Sequence, residues 1–140
     1  MAKQRIVILG GGFAGVYTAM HLEKYCKHLS EVEIVLVSRD NYFTYQPMLS
    51  EVVGGSLGVY DTVSSLRSLL PKTTLYIREV SEINIAKKNL LLTPSFNHKN
   101  LCLHYDQLII ALGNVTDFRN SPAGLHEHAL PFKNLSDALA

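Results

Sequence analysis

The chain has 140 residues, 47% of them hydrophobic, which is material enough for one packed domain. Its 13 Lys and Arg against 12 Asp and Glu leave a formal charge of +1. The basic residues are scattered, with Lys87 and Lys88 the one adjacent pair, and this excludes the clustered cationic face of a nucleic-acid binder. Cys26 and Cys102 lie far apart without CxxC spacing, which argues against a disulfide framework or a redox dithiol and for buried free thiols in a reducing cytoplasm. No run approaches the ~20 apolar residues that span a bilayer. The apolar start at residues 6–9 breaks into glycines too soon for a secretory core, so the chain reads as soluble.

In chain order, residues 5–9 (RIVIL) form a wholly apolar, β-branched run, the pattern of a parallel strand covered on both faces. Val16, Ala19, Leu22, Cys26 and Leu29 then recur at three- and four-residue steps and predict a helix with one buried stripe. Residues 33–37 (EIVLV) make a second buried strand. Strand, helix and strand with short connections predict a right-handed βαβ unit and a parallel sheet. Residues 38–60 read as loop, punctuated by Pro47, Gly54, Gly55 and Gly58. Val63, Leu66, Leu69 and Leu70 mark a short amphipathic helix that Pro71 ends. Residues 74–80 (TLYIREV) read as a third strand. Short extended runs at 83–86, 90–93 and 101–104, with polar turns at 87–89 and 95–100, predict a small antiparallel meander. Residues 107–112 (QLIIAL) close the pattern as another buried parallel strand. From Asn114 onward, Pro122, Gly124 and Pro131 give the chain the look of a linker.

Gly10, Gly12 and Gly15 match GxGxxG at the junction of the first strand and the first helix. Gly10 lets the chain turn off the strand, Gly12 lets a diphosphate approach the backbone, and Gly15 lets helix and sheet pack closely. Main-chain N–H groups and the positive end of the helix dipole then face the anion. A lone GxGxxG says little, but here strand, loop, helix and second strand follow in the required order. The expected class is therefore α/β: a Rossmann-like parallel sheet with an antiparallel meander. Residues 1–113 would form the N-terminal part of that domain, and 114–140 the linker. The acid expected at the tip of the second strand, where it would accept hydrogen bonds from adenosine ribose, is absent. Ser38 and Arg39 stand there instead. Ser38 equally suits the first residue of a turn, and an Arg beside a lost carboxylate also suits a ribose 2′-phosphate.

The segments 10–15 (GGGFAG), 38–49 (SRDNYFTYQPML), 106–114 (DQLIIALGN) and 126–140 (HEHALPFKNLSDALA) together resemble flavoprotein reductases with two dinucleotide domains. The chain is most similar to type II NADH:quinone oxidoreductases, whose Asn-Tyr-aromatic turn and following Pro-Leu-Leu stretch are matched by Asn41, Tyr42, Phe43, Pro47, Met48 and Leu49. The resemblance implies an FAD/NAD(P)-binding fold, present in part, with FAD held by this segment and NADH or NADPH by a later domain. Gly12, Phe13 and Ala14 would cradle the FAD diphosphate. Ser38 and Arg39 would flank the adenosine, and Val80 would meet the adenine through its backbone. Gln46 and Pro47 would lie near the flavin. Ala111, Leu112 and Gly113 correspond to the family's Ala-Thr-Gly strand end, with Leu112 in place of Thr. The resemblance further implies a quinone or another small electron acceptor, peripheral contact with the cytoplasmic face of a membrane through a region beyond these residues, and compatibility with a homodimer.

No acid, base or nucleophile is assigned within the chain, because in such enzymes the cofactor carries the chemistry. A sulfide:quinone or ferredoxin reductase remains an alternative, as does a nucleotide-binding module without catalysis. The sulfide enzyme would need cysteines beside the flavin, which Cys26 on a helix face and Cys102 in the meander disfavour. His126 and His128 form an HxH pair, too few ligands for a closed metal site, and no serine stands in a nucleophile elbow.

Overall fold

The computed structural model describes residues 3–94, 99–119 and 121–140. It contains two compact units, the first made of Met1–Phe43 and Ser65–Gly113, the second of Thr44–Ser64 and Asn114–Ala140.

The first unit is built on four parallel strands. They are β1 (Gln4–Leu9), β2 (Val32–Ser38), β5 (Thr74–Ile77) and β9 (Gln107–Ile110), in the order β5-β2-β1-β9. Their continuous apolar runs follow from cover on both faces. On one face Ile8, Ile34 and Leu36 pack against Val16 and Ala19 of α1 (Phe13–Tyr25) and against Phe43, Leu66 and Leu70. On the other, Val7, Leu9, Val35 and Val37 pack against Leu90, Leu92, Leu103 and Tyr105. These come from and beside the antiparallel sheet β6 (Val80–Asn84), β7 (Asn89–Leu92) and β8 (Leu101–His104). Because successive strand residues point to opposite faces, Val7 and Leu9 serve one layer while Ile8 serves the other. A 13-residue helix is marginal alone; the cluster that α1 joins stabilises it, at ~1.5–3 kcal/mol for each large apolar side chain fully buried.

Several sequence expectations shift. The stripe that predicted the first helix runs past its end: Cys26 caps α1, its N–H donating to the Leu22 carbonyl at 2.8 Å, and Leu29 lies beyond it, exposed. The segment read as loop over 38–60 holds β3 (Tyr42–Thr44), a 3-10 turn at Gln46–Met48, α2 (Leu49–Val53) and the start of a second 3-10 turn, Val59–Thr62. Val63 opens β4 (Val63–Ser65), and the expected helix is confined to α3 (Leu66–Leu69). The run 74–80 is two strands, not one. It ends at Ile77, and Val80 begins β6, because Glu79 leaves the parallel sheet to exchange hydrogen bonds with Thr93: the Thr93 N–H donates to the Glu79 carbonyl at 2.9 Å and the Glu79 N–H to the Thr93 hydroxyl at 3.2 Å. The final strand stops at Ile110, two residues short of its expected end. Of the turn expected at 95–100, residues 95–98 lie outside the described residues. The turn expected at 87–89 lies two residues earlier, at 85–88, because Asn89 already opens β7; Lys88 within it has φ +49°, a left-handed conformation uncommon away from glycine.

β9 forms one edge of the parallel sheet, and just along it Ile110 and Leu112 are exposed.

In the second unit, Asn114–Ala140 carries α4 (Leu125–His128) and α5 (Leu135–Ala138) in place of an unbroken linker. Asn134 caps α5, its side chain accepting the Asp137 N–H at 3.0 Å while the Asp137 carboxylate accepts the Asn134 N–H at 3.0 Å. The two bonds satisfy donors that a helix start leaves open.

Candidate functional site: the glycine corner

The C-terminal ends of β1, β2 and β9 meet the N-terminus of α1 in the first unit. This is the end of a parallel sheet at which ligands bind. Gly10 leaves β1 with its N–H donating to the Val37 carbonyl at 2.8 Å and a φ of +111°, which favours glycine. A Cβ there would strike the Ala111 carbonyl. Ala111 is itself held beside β1, its N–H donating to the Leu9 carbonyl at 2.8 Å. A Cβ on Gly15 would run into the Gly10 carbonyl, so Gly15 fixes the closeness of helix and loop.

Gly11 is a site residue that the motif template conceals, since it occupies an unspecified position of GxGxxG. A Cβ there would collide with the Ser38 hydroxyl. Recognising it from the sequence would have required knowing that the tip of the second strand lies directly beside the loop.

Gly12 differs from its three neighbours. It is the N-cap of α1, at φ −85° and ψ −168°, and a Cβ built on it meets nothing within 4 Å. Packing supplies no reason for glycine here. No side chain caps the helix and its first turn holds no acid, so the positive helix end is not neutralised locally. Phe13 turns its ring away into an aromatic group, stacked on Tyr17 at 6.2 Å and edge-on to Phe43 at 4.9 Å. Phe13 and Ala14 therefore present main chain at the corner, and Phe43 is core.

Ser38 ends β2 almost fully buried. Arg39 follows, exposed, with Nη1 4.0 Å from Glu79 Oε1. The Arg78 N–H donates to the Ser38 carbonyl at 2.8 Å, which brings residues 78–80 alongside the tip of β2. Gly113 leaves the β9 side at φ +70°, and Leu112 stands exposed where a threonine was expected. The structure thus gathers Gly10, Gly12, Phe13, Ala14, Gly15, Ser38, Arg39, Ala111, Leu112 and Gly113 around one corner, while Val80 opens β6 two residues beyond the Arg78–Ser38 hydrogen bond and pairs with Leu92. Gln46 and Pro47 belong to the second unit, where the Gln46 side-chain amide donates to the Lys133 carbonyl at 3.0 Å.

Among the described residues no three His, Cys, Asp or Glu side chains cluster as metal ligands. The side chain of His126, half of the HxH pair, lies outside the described residues. Cys26 and Cys102 are free thiols, Cys102 exposed and not buried as expected. No described helix is long and apolar enough to cross a membrane.

A two-faced parallel sheet with a glycine-lined strand-to-helix corner defines a Rossmann-type α/β domain. The family model for pyridine nucleotide-disulphide oxidoreductases matches residues 4–139, and the chain belongs to that family. It is 36% identical to a demethylphylloquinone reductase, NdbB, of Synechocystis, over 98% of this chain and 34% of the relative. It is 26% identical to a type II NADH:quinone oxidoreductase of Staphylococcus aureus, over 97% of this chain and 32% of the relative. Among solved structures it is similar to NDH2 of Plasmodium falciparum, determined in complex with NADH, with a TM-score of 0.83 and 27% identity over 98% of this chain and 27% of that one. The resemblance to type II NADH:quinone oxidoreductases read from the four sequence segments is borne out by these relatives. The chain spans about a third or less of the length of each.

Proposed function

We propose that this chain is the FAD-binding segment of a reductase that takes electrons from NADH or NADPH and delivers them to a quinone. Gly12 carries the reading. Gly10, Gly11 and Gly15 are each required by a neighbouring atom of the protein, whereas Gly12 faces open space at the positive end of α1. A glycine that no contact demands, placed where N–H groups point outward, fits the close approach of a diphosphate.

In this reading Gly10–Gly15 and the first turn of α1 hold the diphosphate through main-chain groups. Ser38 and Arg39 flank the adenosine, the Val80 backbone meets the adenine, and Ala111, Leu112 and Gly113 line the β9 side. Residues 114–140 lead toward an NADH-binding domain. When bound, the flavin supplies reversible two-electron chemistry between nicotinamide and quinone. The protein contributes position and exclusion of water. The quinone's low polarity agrees with a peripheral seat on the cytoplasmic face of a membrane, through a region outside these 140 residues.

The test is a visible spectrum of the purified full-length protein. A yellow protein bleached by NADH and re-oxidised by added quinone is expected. Bleaching by sulfide and not by NADH, or a colourless protein, would overturn the reading.

A further inference from the structure

The tip of β2 lacks the carboxylate that a dinucleotide's adenosine ribose normally meets, and the structure offers another nearby. Ser38 pairs in register with Ile77 of β5, and the Arg78 N–H continues the ladder onto the Ser38 carbonyl at 2.8 Å. Glu79, one residue on from that bond, stands beside the tip of β2, its Oε1 4.0 Å from Nη1 of Arg39, the residue that follows Ser38. Its backbone is fixed from the far side by both hydrogen bonds with Thr93, and the Arg78 guanidinium donates to the Thr93 carbonyl at 3.2 Å. The position of Glu79 is therefore set by two strands, while its carboxylate is exposed and held only by the long 4.0 Å approach to Arg39.

We propose that Glu79 supplies the carboxylate missing from position 38, accepting hydrogen bonds from the adenosine ribose hydroxyls while Arg39 steers it toward the corner. This rests on the reading that FAD occupies the corner. It explains how a neutral, buried Ser38 is tolerated at the strand tip: the acid has moved one strand over.

Flavin is stripped from the full-length protein, and the apoprotein is titrated by flavin fluorescence with FAD and with an FAD analogue lacking the adenosine 2′ and 3′ hydroxyls. Glu79→Gln is expected to weaken FAD about tenfold, the scale of one charge-assisted hydrogen bond, and to leave the analogue's affinity unchanged. An unchanged FAD affinity in Glu79→Gln, or an equal loss for FAD and the analogue, overturns the proposal and leaves FAD in the corner. A wild-type protein that binds neither ligand overturns the reading beneath it as well.

Discussion

The α-carbon of Gly11 lies against the side chain of Ser38, so that a Cβ on Gly11 would overlap the Ser38 hydroxyl and come within 3.0 Å of the Ser38 Cβ. Loop and strand tip are therefore mutually sized. Gly11→Ala is expected to destabilise the fold by about 1–3 kcal/mol, the range for overpacking. Ser38→Gly should recover most of that loss, because the remaining neighbour, Leu66 Cδ1 at 3.4 Å, is an ordinary contact. Urea melts of the two single variants and the double variant measure the coupling; strictly additive losses would refute the relationship.

Gly12 and Gly15 should separate folding from cofactor binding. Gly12→Ala places its methyl in open space at a permitted backbone conformation, so stability should change by no more than about 1 kcal/mol. Flavin retention should fall sharply, and Gly12→Val should abolish it. Gly15→Ala drives a methyl into the Gly10 carbonyl and should lower the melting temperature before any ligand is added. Full flavin stoichiometry in Gly12→Val would count decisively against a diphosphate at this corner.

Glu23 ties α1 to the approach of β5. Its Oε1 accepts the Lys72 N–H at 2.9 Å and the Thr73 hydroxyl at 2.7 Å, and Thr73 is buried. Glu23→Ala strands that hydroxyl and should cost about 1–3 kcal/mol in chemical denaturation. Thr73→Val in the same background should return part of the loss by removing the stranded group.

Alkaline stability should depend on Tyr42. Burial, assisted by the charge of Asp40, holds its phenol above the ordinary value of 10.0. The folded state thus grips this proton more tightly than the unfolded chain does. The contribution is complete below the unfolded value and disappears as pH rises through the higher folded one. Urea midpoints recorded upward from about pH 9 should fall less for Tyr42→Phe than for the wild type; parallel curves would reject the assignment.

The sequence-based reading succeeded where chemistry repeats along the chain. Apolar β-branched runs located the parallel strands, and glycine spacing located the corner. It failed where a contact distant in sequence decides. Nothing within 74–80 shows that the strand breaks after Ile77, because the cause is Thr93. Gly11 looked optional because its constraint is Ser38, 27 positions away. The short elements within 42–53 are three to five residues long, too brief for any period to emerge. For the candidate site, the motif glycines and Ser38 were legible, while Glu79 was hidden by its place between two strands.

The outer margin of the parallel sheet carries a last consequence. Along β9 one line of main-chain donors and acceptors has no neighbouring strand in the four-strand order, and Ile110 and Leu112 stand exposed there. Such a border is sticky toward any extended peptide. Concentrated, these 140 residues would be prone to zip together border to border, so that turbidity rather than unfolding would set the practical limit on handling them.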